Sequence, residues 1–352
     1  MTTKHNYDAV ALFSAGLDSL LATKVIEAQG LTVKCLHFFS PFFGHTRKIG
    51  YWRRTYGLDI TGVDIGDAYV EMMLNGPKFG FGKFFNPCVD CKIIMLRHAR
   101  ALMEKYGATF IITGEVLGQR PMSQRRDAMN SVRNESDTKD ILLRPLCAKR
   151  LEPTPMELSG LVDRERLCDL WGRGRTGQMD LAAHFGITEI PTPGGGCLLT
   201  EESSAKRYAT VFEHVEKPAA ALFYLANVGR QYWSGSHWLA IGRDQNSNEQ
   251  IRELITETDL IFDLRDFPGP LSVGRQICGA WSPEAVADAA SFAASFSPRA
   301  KKSDSPVAVT VREGDTQYTV TVQPSRITPM VWRDVDWAEA KAVRNRMDTK
   351  DR

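Results

Sequence analysis

Apolar and polar positions change period several times along the chain, and each change marks an element. Residues 7–13 form a short apolar run that predicts a buried strand. Residues 17–28 carry apolar side chains at helical spacing and run out near Gly30, which predicts a helix. A second strand is predicted over 31–39, a basic helix over 45–56 and a third strand over 58–63. A long helix over 89–106, stopped at Gly107, precedes strands at 109–113 and 141–144. Strands alternating with helices predict an α/β fold whose parallel sheet is covered on both faces. Residues 151–186 read as mostly helical, with a basic glycine-rich break at 171–177. The turn Pro191-Thr192-Pro193-Gly194-Gly195-Gly196 follows, and Thr200 is placed to cap a helix starting at Glu201.

The pattern shifts after residue 218. Strands are predicted over 232–241 and 260–264, with a helix at 248–255 between them. A small-residue helix over 283–296 leads into a linker rich in Ser, Lys and Pro at 298–306. Residues 307–312 and 317–322 alternate about Gly314-Asp315, a hairpin signal. The expected organisation is a parallel-sheet α/β domain over 1–200, a connecting helix over 201–218, a smaller α+β domain over 219–325, and a mixed-charge tail over 326–352. The last part, residues 337–352, is expected to be a frayed helix.

At 352 residues, 43% hydrophobic and 24% charged, the chain can bury more than one core. Its net charge of +2 does not mark it as a nucleic-acid binder, so any RNA contact must come from local clusters of Lys and Arg. No apolar run approaches the roughly 18 residues needed to span a bilayer, and residues 1–8 lack a signal-peptide core. The expected compartment is the cytoplasm, with no membrane partner and with reduced thiols. The seven cysteines are odd in number and irregular in spacing, which argues against a disulfide scaffold and for metal binding or catalysis.

Candidate chemistry begins at Ser14-Ala15-Gly16-Leu17-Asp18-Ser19, between the first strand and the first helix. A helix N-terminus offers free N–H groups and a favourable dipole to phosphate. Ser14 and Ser19 add hydroxyls, and Asp18 suits Mg²⁺ rather than bare phosphate. An ordinary strand-to-helix turn is the alternative, and no Walker sequence is present. These residues resemble the S-G-G-x-D-S pyrophosphate (PP) loop of N-type ATP pyrophosphatases, an adenine-nucleotide α-hydrolase-like fold. Ala15 replaces the first glycine of that pattern, which matters if the position needs φ > 0. Thr113-Gly114-Glu115-Val116-Leu117-Gly118-Gln119, then Ser123-Gln124 and Arg144-Pro145-Leu146, resemble segments of tRNA 4-thiouridine synthases. That resemblance implies ATP, Mg²⁺ and tRNA as ligands. It places Thr113, Gly114 and Gln119 beside the nucleotide, with His37 and Phe38 flanking the adenine. Strand-end packing is the alternative for those last two.

Asn86-Pro87-Cys88-Val89-Asp90-Cys91 puts two thiols at a helix start, where they are expected to be primed as thiolates. A third thiol, Cys197, follows the glycine turn. A structural zinc would need two further soft ligands, and no second C-x-x-C exists. The set resembles thiouridine synthases in which three cysteines hold a [4Fe–4S] cluster, with Cys88, Cys91 and Cys197 as ligands. The persulfide type, with cysteines at an N-P-C motif and downstream, stays open as a metal-free alternative. Either implies a sulfur donor, sulfide or a persulfide carrier. Asp18 and the three cysteines are thus the expected catalytic set for tRNA uridine thiolation. Another ATP pyrophosphatase reaction and a non-catalytic RNA-binding protein are the rival readings. The uridine, the donor and the oligomeric state are not specified by sequence.

Gly172-Arg173-Gly174-Arg175-Thr176-Gly177 fits G-x-G-x-x-G, but no buried strand precedes it, so it is expected to be a loop. Its arginines, with Arg164 and Arg166, and the set Arg120, Arg125, Arg126 and Arg133, are candidates for RNA phosphate contact or for solvated faces. In the second half, Ile241-Gly242-Arg243-Asp244, Asn248-Glu249, Asp259 and Asp266-Phe267-Pro268-Gly269-Pro270 resemble an NFACT-R-type RNA-binding domain. Tyr232, Trp233 and Trp238 are candidates for base stacking there, with core packing as the alternative.

Overall fold

The computed structural model describes residues 6–191 and 196–348. Thr192-Pro193-Gly194-Gly195 of the expected turn, and the ends of the chain at 1–5 and 349–352, lie outside the described residues. The chain divides into two compact units, one ending at Thr200 and one beginning at Glu201.

The first unit contains, in order, β1 (Ala9–Leu12), α1 (Leu17–Glu27), β2 (Val33–Phe39), α2 (Ile49–Tyr56), β3 (Ile60–Asp64), α3 (Gly66–Leu74), α4 (Cys88–Tyr106), β4 (Phe110–Thr113), α5 (Arg126–Glu135), β5 (Leu142–Leu143), α6 (Pro155–Leu158) and α7 (Thr176–His184). Its five strands pair in the order β3-β2-β1-β4-β5, all parallel. Every residue of β1 and β4 is buried, which explains unbroken apolar runs in place of alternation. Leu12 stands opposite both Leu36 and Thr113, so β1 and β4 finish at the same level and β2 runs on beyond them to Phe39. The chain order reverses at β1, between β2 and β4. Open parallel sheets bind ligands at such a switch point, beyond the carboxyl ends of the strands.

Several expectations change. Helices α3 and α5 were not expected. Residues 151–186 are mostly turns, with α6 only four residues long and α7 nine. Pro153, Pro155 and Gly160 break helical periodicity there. Glu201 is the N-cap of the next helix, while the Thr200 hydroxyl donates backward to the Cys197 carbonyl at 2.7 Å.

The second unit contains α8 (Glu202–His214), α9 (Ala220–Ala226), β6 (Arg230–Ser234), β7 (His237–Ile241), α10 (Gln245–Glu253), β8 (Leu260–Leu264), β9 (Ser272–Arg275), α11 (Pro283–Ala294), α12 (Pro298–Lys301), β10 (Val307–Glu313), β11 (Thr316–Val322) and α13 (Trp337–Asp348). Six antiparallel strands run in the order β11-β10-β8-β9-β7-β6. The single strand expected over 232–241 is a hairpin, turned at Gly235 with φ of 55°. Helix α11 buries Ala289, Ala290, Ala293 and Ala294 against strand residues such as Val309 and Val311. The frayed C-terminal helix expected from sequence is a docked one. Ala340, Val343 and Met347 of α13 are buried, and Arg346 pairs with Glu213 of α8.

Candidate functional site

The 14–19 loop leaves the end of β1 and opens α1, whose N-cap, Gly16, offers no side-chain cap. The first-turn N–H groups are therefore left for another acceptor. Ala15 is left-handed, with φ of 62°. The loop closes on Ser19: its hydroxyl donates to the Gly16 carbonyl at 2.9 Å and accepts from the Ser14 N–H at 3.2 Å. The Ser19 hydroxyl thus shapes the loop and is not a free phosphate donor, as the sequence suggested. The exposed Ser14 hydroxyl sits 3.3 Å from it.

Asp18 points toward the loop that leaves β4. Gln119 Nε2 donates to its Oδ2 at 3.2 Å, while Oδ1 is buried without a partner. Gln119 Oε1 is equally orphaned. Buried unpaired acceptors are costly, and two hard oxygens in one place are the donor set Mg²⁺ takes. The residues present therefore fit a bound Mg²⁺. Gly114 makes this approach possible: a Cβ there would lie 2.5 Å from the backbone of Asp18 and Ser19.

The β4 loop is held by a buried ion pair. Arg144 Nε reaches Glu115 Oε2 at 3.0 Å, and Arg144 Nη2 reaches the Met129 carbonyl at 3.1 Å. Burial opposes ionisation of Glu115, but Arg144 and then Lys92 outweigh it and hold the carboxyl below its usual range. Thr113 Oγ1 also donates to Oε2, at 3.1 Å, so the Thr113 hydroxyl is committed to the loop.

His37 is 2% exposed and both ring nitrogens are used. Nε2 accepts from the His45 N–H at 3.0 Å, so the proton sits on Nδ1, which donates to the Phe13 carbonyl at 2.9 Å. Burial depresses its pKa. The imidazole therefore ties β2 to the two loops that follow β1 and β2 and has no polar atom left for a base. Phe38 is also buried.

The cysteines come together from distant parts of the chain. Cys88 and Cys91 occupy the first turn of α4, and Asp90 between them accepts the N–H groups of Lys78 and Phe79 at 2.9 and 3.1 Å. Cys197 arrives because Leu198 donates to the Phe42 carbonyl at 2.9 Å and the Leu199 carbonyl accepts from Phe85 at 3.2 Å. The three thiols lie within electrostatic reach of one another and of the Tyr69 hydroxyl. Burial raises Cys91 to about 11 and Cys197 to about 12, and the neighbouring sulfurs push the same way. For Cys91 this corrects the expectation of a primed thiolate: desolvation outweighs the Tyr69 hydroxyl, Lys92 and the helix dipole. Tyr69 is fully buried, its hydroxyl faces the Cys91 sulfur, and burial followed by Cys91 and Cys197 pushes its pKa well up.

Among the described residues no three His, Cys, Asp or Glu side chains are close enough to hold a single metal ion. A cluster spreads its thiolates over separate irons, so the test for it differs. Three partly buried sulfurs gathered beside the Tyr69 hydroxyl are the soft donor set of a [4Fe–4S] group, whose irons would stabilise them as thiolates. Sequence reasoning missed Tyr69, because α3 was missed. It also missed the role of Asn86, whose amide donates to Cys88 Sγ at 3.3 Å and contacts Met122 Sδ at 3.5 Å. Residue 122 lies three positions beyond Gln119. A continuous set of contacts thus runs from Asp18 through the 119–122 loop and Asn86 to Cys88.

Of the candidate arginines, Arg125 pairs with Asp127, Arg126 with the Arg150 carbonyl, Arg164 with Glu157 and Arg166 with the Ala28 carbonyl. In the second unit Trp233 and Trp238 stack on each other and are buried, and Tyr232 packs on Phe292 and Phe296. These rings are core and not a stacking platform. Asp259 forms a buried bidentate pair with Arg275 at 2.6 and 2.9 Å. No helix among the described residues is long and apolar enough to cross a membrane.

Comparison with known proteins matches two stretches of the chain. Residues 83–152 match the family described as thiamine biosynthesis protein (ThiI), and residues 230–329 match the NFACT protein RNA binding domain. A probable tRNA sulfurtransferase of Thermococcus kodakarensis is 32% identical over 134 residues, 36% of this chain and 34% of that protein. A tRNA sulfurtransferase of Sodalis glossinidius is 28% identical over 147 residues, 40% of this chain and 29% of that protein. The chain spans about a third of the length of the curated relatives it matches. A solved structure described as the C-terminal part of the fibronectin/fibrinogen-binding protein of Streptococcus suis covers 67% of this chain and 88% of its own, at 16% identity and a TM-score of 0.25. Residues 83–152 are thus similar to the ThiI family and residues 230–329 to the NFACT protein RNA binding domain.

Proposed function

We propose that this protein is an ATP-dependent tRNA uridine sulfurtransferase. The observation that carries the reading is the run of contacts from Asp18 to Cys88, which connects a phosphate-type loop to a group of three cysteines. Residues 1–200 would hold ATP and the reacting uridine, and residues 219–325 would hold RNA. The tRNA sulfurtransferase relatives and the RNA binding domain match support tRNA as the substrate.

ATP phosphates would lie on the uncapped N-terminus of α1, with Mg²⁺ on Asp18 Oδ1 and Gln119 Oε1. A uracil carbonyl oxygen attacks the α-phosphorus, forming an O–P bond while pyrophosphate leaves. Sulfur then adds to the activated carbon, the C–O bond breaks, and AMP departs with that oxygen. The chain contributes positioning and charge neutralisation. A [4Fe–4S] cluster on Cys88, Cys91 and Cys197 supplies, when bound, an open iron able to carry sulfide. The Asn86 amide steadies negative charge on Cys88. The same amide favours a second reading, a metal-free relay in which Cys88 carries a persulfide.

The test is thiolation of unmodified tRNA by anaerobically purified full chain with ATP, Mg²⁺ and sulfide. Formation of a thionucleoside together with AMP is expected, with iron and visible absorbance in the protein. Cys91→Ser separates the readings: it abolishes a three-cysteine cluster but spares a Cys88–Cys197 relay. No thionucleoside under either sulfide or a persulfide donor rejects the proposal.

A further inference from the structure

The loop opened by Trp171 is not used by the chemistry above, yet it lies against the site. Trp171 is 66% exposed, the most exposed aromatic among the described residues. Its backbone is nevertheless fixed on both sides. The Leu170 N–H donates to the Leu146 carbonyl at 2.9 Å, and its side chain packs on the core beside Gly177. The Gly172 N–H donates to the Leu117 carbonyl at 2.8 Å. A Cβ on Gly118 would lie 3.3 Å from the indole Nε1, so the ring edge rests over that glycine, next to the Gln119 that holds Asp18. An exposed indole on a pinned main chain keeps its orientation at little entropic cost.

The charge around it selects the partner. Arg173 and Arg175 follow in the same loop and Arg120 follows Gln119. None of the three side chains has a hydrogen-bonding or ion-pair partner among the described residues, whereas those of Arg164 and Arg166 are tied to Glu157 and Ala28. A planar aromatic beside unpaired guanidinium groups is the combination that holds a base and its phosphates; sheer apolar docking would not need the arginines. Both glycines of the loop, Gly172 and Gly174, have open space where a Cβ would stand, leaving room for a nucleotide.

We infer that Trp171 is a stacking platform for an unpaired tRNA base at the mouth of the nucleotide site, with Arg173 and Arg175 on the adjoining phosphates. The inference rests on the tRNA reading proposed above and goes beyond it in naming where the RNA strand is held. Stacking needs a base already out of its helix, so the platform selects a loop or unstacked nucleotide over duplex RNA.

The test uses the full chain, an unmodified tRNA transcript and ATP. Trp171→Ala is expected to weaken tRNA binding about 5- to 150-fold, the range that loss of one base–aromatic stack produces, with ATP affinity unchanged by calorimetry. Trp171→Phe should restore most of the loss. Arg173→Ala with Arg175→Ala should lower the salt slope of tRNA affinity by about 1.4, two single-strand phosphates' worth. Wild-type tRNA affinity in Trp171→Ala overturns the inference. So does an equal loss of ATP binding, or failure of Phe to rescue, either of which marks a packing role. Intact tRNA binding with blocked sulfur supply from a persulfide carrier overturns it in favour of a protein partner. If the wild-type chain binds ATP but no tRNA, the functional reading itself fails; if it thiolates tRNA as well as Trp171→Ala does, only the platform fails.

Discussion

Ala15 holds a left-handed conformation at the tip of the phosphate loop, with φ of 62°, where the resembling motif has glycine. That conformation costs a non-glycine residue on the order of 1–2 kcal/mol. Glycine would relieve the strain but loosen the unfolded chain by about 0.4–1 kcal/mol. Ala15→Gly should therefore stabilise the first unit slightly, by about 0.5–1 kcal/mol, while Ala15→Val should destabilise it; thermal unfolding midpoints measure both. Equal midpoints for the Gly and Val variants would contradict the backbone assignment. A second single-residue prediction concerns acid. His37 is neutral in the fold because burial and the His45 N–H both oppose its protonation. Its folded pKa is depressed, so the stability it carries is present above the unfolded value of about 6.5 and is lost as pH falls below it. Unfolding midpoints should drop between pH 7 and pH 5, and His37→Gln, although less stable at pH 7, should show a smaller drop. The glycine-to-alanine departure was visible in the sequence. That the position needs φ > 0 was not, because a turn's dihedral depends on what closes it, here the Ser19 hydroxyl.

Elements with strong periodicity and a stop signal were legible: β1, α1, β2, α4 with its left-handed Gly107, and the β10–β11 hairpin. Those lost had little apolar pattern to read. Helix α5 buries only Met129 and Val132, and β9, Ser-Val-Gly-Arg, is buried on every residue without alternation. Residues 151–186 were over-read as helix because apolar spacing alone does not register the breaks at Pro153, Pro155 and Gly160. The site was legible as motifs and not as contacts. Thr113-Gly114-Glu115 marked the right loop, but the partner of Glu115 sits 29 positions later, and sequence gives no sign that Arg144 answers it. That pair carries a prediction at this scale. Glu115 and Arg144 side chains are 2% and 5% exposed, and removing one partner of a buried pair costs about 3–5 kcal/mol. Arg144→Met should lower stability by about that amount and also weaken ATP–Mg²⁺ binding, since the loop that carries Gln119 loses its anchor. Glu115→Gln with Arg144→Met should recover much of the stability by removing the orphaned charge. A single Arg144→Met variant that unfolds at the wild-type denaturant midpoint would show that the pair anchors nothing.

For the whole chain, 44 basic and 42 acidic residues leave a net charge of +2, so no long-range field draws in a polyanion. On the tRNA reading proposed above, RNA affinity has to be assembled from local arginines left without acidic partners. In the first unit these include Arg120, Arg173 and Arg175. In the second, Arg230 and Arg326 both lie on the ring of Phe296, at 5.3 and 3.2 Å from its centre, and Arg230 also donates to the Gly242 carbonyl at 2.7 Å. Burial and then Tyr232, Arg230 and their neighbours set Arg326, with a net depression of its pKa. Two guanidinium groups sharing one ring repel each other, and a phosphate between them would relieve the repulsion. Counterion release then makes the two sets separable by experiment. Each phosphate contact adds about 0.7 to 0.9 to the slope of log affinity against log salt, and slopes add where affinities do not. Full-chain tRNA binding measured from about 50 to 200 mM salt should lose about 1.4 from its slope in Arg173→Ala with Arg175→Ala. Arg230→Ala with Arg326→Ala should lose a similar amount, and the quadruple variant about 3. Were the first pair to leave the slope unchanged while the second removed all of it, RNA would be held by the second unit alone. Contacts from both units instead require one tRNA to engage both at once, and only that arrangement gives a loss in the quadruple variant equal to the sum of the two double variants.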